Sequence, residues 1–157
     1  MLAASEGRTD DTKGKADPEI AMLRAAKIGM IGATVSLLLS AAGEILPATD
    51  ALMAMDPAKL LAQPLVVFGV IDVVLAVLLG LGTSAIYPVV RFRAALGLGV
   101  MGTMFYLQGM TLPLIQVAAG SAGLYLCTVL VSMIPAIVAA AAAVGGMGML
   151  GWYVLSR

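Results

Sequence analysis

From Ala94 to Ser156 the chain contains no Asp, Glu, Lys or Arg. A water-soluble domain carries charge on roughly a quarter of its residues, because a solvated surface must surround its core. Across all 157 residues here only 11% are charged and 61% are hydrophobic. Apolar runs of about 20 residues match a hydrocarbon core of roughly 30 Å. Inside lipid a helix satisfies all of its own backbone polar groups. The sequence therefore predicts an all-α integral membrane protein.

Missing residue types narrow the chemistry. There is no His, which removes imidazole-ligated metals and every nucleophile that needs an imidazole base. One cysteine, Cys127, allows no internal disulfide and no paired redox centre. Nine basic residues balance nine acidic ones, so net charge gives no reason to expect nucleic acid as a partner. No catalytic residue and no metal site are expected. No cofactor is expected either, with a quinone or another lipid as the open alternative.

Along the chain, residues 1–16 are polar and of mixed charge, and predict a disordered cytoplasmic tail before a membrane domain over 17–157. Asp17-Pro18-Glu19 reads as a helix start: a capping acid, a proline at the first position and a second acid facing the positive helix end. Four spans are predicted, at about 27–46, 64–84, 94–116 and 124–154. Pro47 ends the first. A short interfacial helix over 56–63 links the first two. Ser84 to Arg93 reads as a turn, Pro113 as a kink, and Gly120-Ser121-Ala122-Gly123 as the turn into the fourth span. The run from 112 to 155 can be one bent span or two short ones. A single span is favoured, since a turn near Ile134-Pro135 offers no polar group to face water. The expected architecture is a membrane four-helix bundle. Arg8, Lys13, Lys15, Arg24, Lys27, Arg91, Arg93 and Arg157 then fall on one side, which places both termini in the cytoplasm of a bacterial inner membrane.

Hydrophobicity does not hold helices together in lipid; close backbone approach and interhelical hydrogen bonds do. Small residues recur at four-residue spacing: Gly32, Ser36 and Ser40; Ala76 and Gly80; Ala95, Gly99 and Thr103; Ala141 with Gly145; Ala142 with Gly146. The last two pairs and Gly148 offer more small surface than one neighbour covers. They are the candidate face for docking other membrane subunits or a second copy.

Asp72 is the strongest chemical signal. It lies eight residues past Pro64, about 12 Å into the span. An acid there costs about 2.5–3.5 kcal/mol to insert. With no Lys or Arg expected at that depth, it has no charge partner. Ser40, Tyr106 and Gln108 are the polar residues placed level with it. Two roles are open: a site for a proton or a polar ligand, and a protonated acid bonded to one of those residues as interhelical glue. Glu44 reads as a solvated acid at the end of its span, about 9 Å from Asp72 in depth. The two are not a ready-made pair, though both can line one outward pocket with Lys59 near its mouth. Met53-Ala54-Met55 and Met147-Gly148-Met149 have a spacing used by Cu(I) sites, but no His or paired Cys supports them. Cys127 reads as a small buried apolar residue.

The elements Ala41-Ala42-Gly43-Glu44, Gly69-x-x-Asp72 and Arg91-x-Arg93-Ala94-Ala95 resemble those of the DoxX-like group of small four-span bacterial membrane proteins, over roughly 25–118. In that group a basic residue stands where Glu44 is, an acid that is usually Glu stands at Asp72, and the third helix often has a His that is absent here. The resemblance implies a membrane subunit or partner of redox and sulfur-handling systems. The leading functional expectation is a non-catalytic accessory or scaffold subunit docked to a larger membrane complex. Its alternatives are a small proton- or solute-coupled carrier using Asp72, and a quinone- or redox-associated subunit of the DoxX-like kind.

Overall fold

The computed structural model describes residues 18–53 and 64–156. The expected tail and the expected interfacial helix lie outside them. The described residues are overwhelmingly helical: α1 (Pro18–Ile45), α2 (Thr49–Met53), α3 (Pro64–Gly80), α4 (Tyr87–Gly97), α5 (Thr103–Leu107), α6 (Thr111–Cys127) and α7 (Met133–Leu155). A π-helical turn, Leu98–Gly102, joins α4 to α5, so the helix is continuous from Ser84 to Leu107. Among the described residues, three helices are long and apolar enough to cross a membrane: Pro18–Ala48, Ser84–Leu107 and Met133–Leu155. Two shorter apolar helices, Leu65–Gly80 and Thr111–Cys127, run between them.

This arrangement does not confirm the four-span bundle, and its helix boundaries differ from those expected. The predicted third span is cut at Gly109, which has φ +67° and ends the helix that began near Ser84. Pro113 is no kink. It sits in the first turn of α6, where its missing N–H costs nothing. The predicted turn at 120–123 is instead the middle of α6. The predicted fourth span is broken at Thr128–Ser132. That turn does carry polar groups: Thr128 Oγ1 donates to Tyr125 O at 2.7 Å. Arg91 reaches across from α4, donating through Nε to Thr128 Oγ1 at 2.9 Å and through Nη2 to Thr128 O at 2.7 Å. A cation thus meets the carbonyl end of α6, where orphan acceptors and the helix dipole favour it.

Neighbour pairs fix the helix directions. Gly32 faces Ala140, Ser36 Oγ donates to Ala143 O at 3.2 Å, and Gly43 faces Gly151, so α1 and α7 run the same way. Gly69 lies against Ile45 and Glu44, so α3 returns beside α1. Gly123 meets Ala139 and Ala143 while Gly120 meets Met147, so α6 opposes α7. Arg91 meets Thr128 and Gly102 approaches Leu114, so α4 opposes α6. Successive long helices alternate in direction, and Pro18 and Leu155 lie at opposite ends of the bundle.

Small residues set the spacing. A Cβ on Gly123 would strike the Ala143 backbone, and one on Gly146 would strike the backbone of Gly120. Such contacts let backbones approach closely and gain dispersion where lipid offers no hydrophobic drive. The core of Ala33, Leu37, Leu75, Leu79, Val90, Ala94, Leu124, Ala139 and Ala143 joins all five long elements. Outward positions are apolar, among them Val35 and Leu38 on α1, Val70 and Val74 on α3, and Ile134 and Val138 on α7. Gly123→Ala and Gly146→Ala should each lower stability by about 1–3 kcal/mol through overpacking. Gly145→Ala, whose Cβ would meet nothing within 4 Å, should leave it equal or raise it by up to about 1 kcal/mol. Thermal unfolding in detergent checks this order, and equal melting of all three variants would contradict the packing.

Candidate functional site

Three helices each contribute one charged side chain to a single buried cluster. Arg93 sits in the second turn of α4. Its Nε donates to Asp72 Oδ1 at 2.6 Å and its Nη2 to Asp72 Oδ2 at 2.8 Å. The same Nη2 donates to Glu44 Oε1 at 2.7 Å. Asp72, on α3, is 0% exposed, and Glu44, at the end of α1, is 7% exposed. The fork geometry matches the two carboxylate oxygens of Asp72, which is the pairing that guanidinium suits best. The guanidinium carbon also lies 5.2 Å from the centroid of the Phe68 ring, a cation–π contact.

Glycines make the approach possible. Gly69 brings α3 against α1 at Glu44: a Cβ there would lie 3.2 Å from Glu44 Cβ and 2.6 Å from Ile45 Cγ1. Gly97, one turn beyond Arg93, leaves room for the guanidinium. A Cβ on it would lie 3.0 Å from Arg93 Nη1 and 3.4 Å from Ser121 Oγ. Among the described residues, Glu44 Oε2, Ser121 Oγ and Gln116 Oε1 are buried without a hydrogen-bond partner. Ser40 Oγ donates weakly to Glu44 Oε1, at 3.4 Å.

The expected site is brought together only in part. Asp72, Glu44 and Ser40 belong to it. Tyr106, 71% exposed, and Gln108, also exposed, do not. The reason is the start of the helix. Counted from Ala94, residues 106–108 fall at mid-depth. Counted from Ser84, they lie about 15 Å further along, at the far end. The same shift moves Arg93 from the membrane boundary into the bundle. Asp72 therefore has the cation that sequence reasoning denied it. Glu44 is not a solvated end acid, and Arg93 joins the two acids whose depths had argued against a pair.

The expected docking face on α7 also divides. Gly146 is buried against Gly120, and Ala142 is half-buried. Ala141 and Gly145 face outward. Gly148 lines an apolar groove with Leu39, Gly43, Met147, Gly151 and Trp152. Met147 is buried while Met149 is exposed, so this pair does not converge on one point. Met55 lies outside the described residues. Cys127 is buried, against Gly29 and Gly32.

Comparison of the chain with family models, curated proteins and solved structures found no match. The DoxX-like resemblance rests on its short motifs alone.

Chemically, the cluster can do two things: clamp α1, α3 and α4 together, and hold one charge more than it balances. Removing one member of a buried ion cluster strands the others, at a cost of about 3–5 kcal/mol. Arg93→Met should lose about that much, since two buried carboxylates would face each other. Replacing Glu44 and Asp72 with Leu in the same chain should restore most of the loss, because well-packed apolar groups can substitute for a whole cluster. Unfolding in mixed micelles reads both, and an Arg93→Met protein as stable as the parent would rule out the clamp.

Proposed function

We propose that the protein is a non-catalytic subunit of a larger assembly in a bacterial inner membrane. The reading is carried by one feature of α7. Its two ridges of small residues point in different directions: Gly146 with Ala143 is spent on α6, while Ala141 and Gly145 stand exposed with open space around Gly145. A surface of small residues facing lipid gives up packing that a second helix would gain from close approach. Leu or Ile would fill lipid-facing positions equally well, so Ala141 and Gly145 suit a neighbour better than a solvent of acyl chains. A further helical chain, from another subunit or a second copy, is the partner that fits. The DoxX-like resemblance makes redox assemblies the first partners to examine.

The helix directions support an orientation that differs from the one expected from the sequence. Arg24, Lys27 and Arg91 gather at the end of the bundle where the chain enters, and Arg8, Lys13 and Lys15 precede it. The basic end faces the cytoplasm, which leaves the C-terminus outside. A periplasm-active reporter fused after Arg157 should be active, and one fused before Met1 should be silent. The reverse pattern, or two silent fusions, would overturn this orientation.

Native mass spectrometry of the tagged chain, purified in mild detergent, tests the subunit reading. The parent should carry a stoichiometric companion. Ala141→Leu/Gly145→Leu should lose it while melting at the parent's temperature. A parent that is always a lone chain would contradict the proposal.

A further inference from the structure

We propose that the cluster of Glu44, Arg93 and Asp72 is a proton-binding site, with Glu44 Oε2 the atom that takes a proton from water and returns it. The inference stands apart from the docking surface and does not depend on it. Two carboxylates share one guanidinium, so with all three ionised the cluster carries one uncompensated negative charge in a setting of low dielectric. Such a charge is costly to leave buried. One proton cancels it: an O–H bond forms at a carboxylate oxygen, water at the membrane surface supplies the proton, and no electron is transferred.

Geometry selects Glu44. Both oxygens of Asp72 are held by Arg93, at 2.6 and 2.8 Å, and Asp72 is 0% exposed. Glu44 offers only Oε1 to Arg93 and Ser40, and its Oε2 is buried without a partner. Glu44 is also next to the last residue of α1, followed by exposed Leu46 and Pro47, so it lies nearer an end of its helix than Asp72 does.

The other charges of these helices are turned or placed away from the cluster: Arg91 is bonded to Thr128, and Glu19, Arg24 and Lys27 lie in the first half of α1. α6 and α7 contain no Asp, Glu, Lys or Arg. Asp72 is the one ionisable residue of α3, and Asp50 on α2 is exposed. Cys127 faces Gly29 and Gly32, far along α1. Of the two tyrosines on α4 and α5, Tyr106 is exposed and Tyr87 packs against the core around Leu37 and Val90. A metal cation is a poorer fit than a proton. Hard cations take several oxygen ligands, and Glu44 Oε2 is the one carboxylate oxygen of the cluster that Arg93 does not hold.

The test uses the full chain in lipid nanodiscs, with Glu6→Gln and Glu19→Gln so that Glu44 is the sole glutamate. Its side-chain carboxyl is labelled with 13C and followed by infrared difference spectroscopy as pH changes. The expected result is a labelled protonated-carboxyl band that appears at low pH and disappears reversibly at high pH. Asp72→Asn, by removing the neighbouring negative charge, should make Glu44 harder to protonate and move the midpoint at least tenfold in proton concentration toward acid. A label that stays ionised, or stays protonated, at every pH at which the chain is folded overturns the proposal. So does a label that shifts with Na⁺ or K⁺ at fixed pH, which would mark a cation site.

Discussion

A guanidinium taken out of water must find new acceptors and counter-charge, and in this bundle Arg93 finds both in carboxylates from two other helices, through its Nε and Nη2. The constraint runs in both directions. Asp72 and Glu44 could not be buried on α3 and α1 without a cation between them, and Arg93 could not enter the bundle without both. The register of α1, α3 and α4 is thereby set at one level. A slide by one turn, about 5.4 Å, would strand at least one charge in an apolar interior. Elsewhere, apart from the Ser36–Ala143 and Arg91–Thr128 hydrogen bonds, the helices meet mainly through glycine, alanine and Leu-sized side chains, contacts that specify distance better than register.

The two kinds of contact divide the molecule. Small residues carry α1, α6 and α7, where Gly29, Gly32, Gly120, Gly123 and Gly146 allow backbones to touch. Charge carries the side where α3 and α4 meet α1, and Gly69 and Gly97 serve that side by clearing space for Glu44 and Arg93. Arg91, two residues before Arg93, points to another neighbour and closes the carbonyl end of α6. One short basic segment thus ties α4 to three helices. The π-helical turn follows directly, at Leu98–Gly102; such turns rarely persist without a local reason.

Much of this was legible from the residues. The absence of charge between Arg93 and Arg157 gave the membrane character, and Pro18 and Pro47 bracketed α1. Asp72, Glu44 and Ser40 stood out as polar residues inside apolar runs. The number of helices did not, because glycine is ambiguous. Gly109 ends a helix through a positive φ, whereas Gly120 and Gly123 sit within one as packing surface. A better signal was present. Pro18, Pro64, Pro88, Pro113 and Pro135 each fall in the first turn of a long helix, where proline is tolerated and its φ is already helical. Read as starts rather than kinks, they mark five helices. They also move the origin of the third back toward Ser84, which carries Arg93 to the depth of Asp72. The partnership itself needed the fold, since residues 44, 72 and 93 share no spacing that a linear reading would link.

The most direct check on the buried cluster is a set of solid-state NMR distances in bilayers between the Arg93 guanidinium nitrogens, labelled with 15N, and the side-chain carboxyl carbons of Asp72 and Glu44, labelled with 13C. The account predicts strong dipolar coupling from the guanidinium to both carbons, at separations that only direct hydrogen bonding allows. Coupling to neither carbon, or an Arg93 whose nitrogens exchange freely with bulk water, would contradict it.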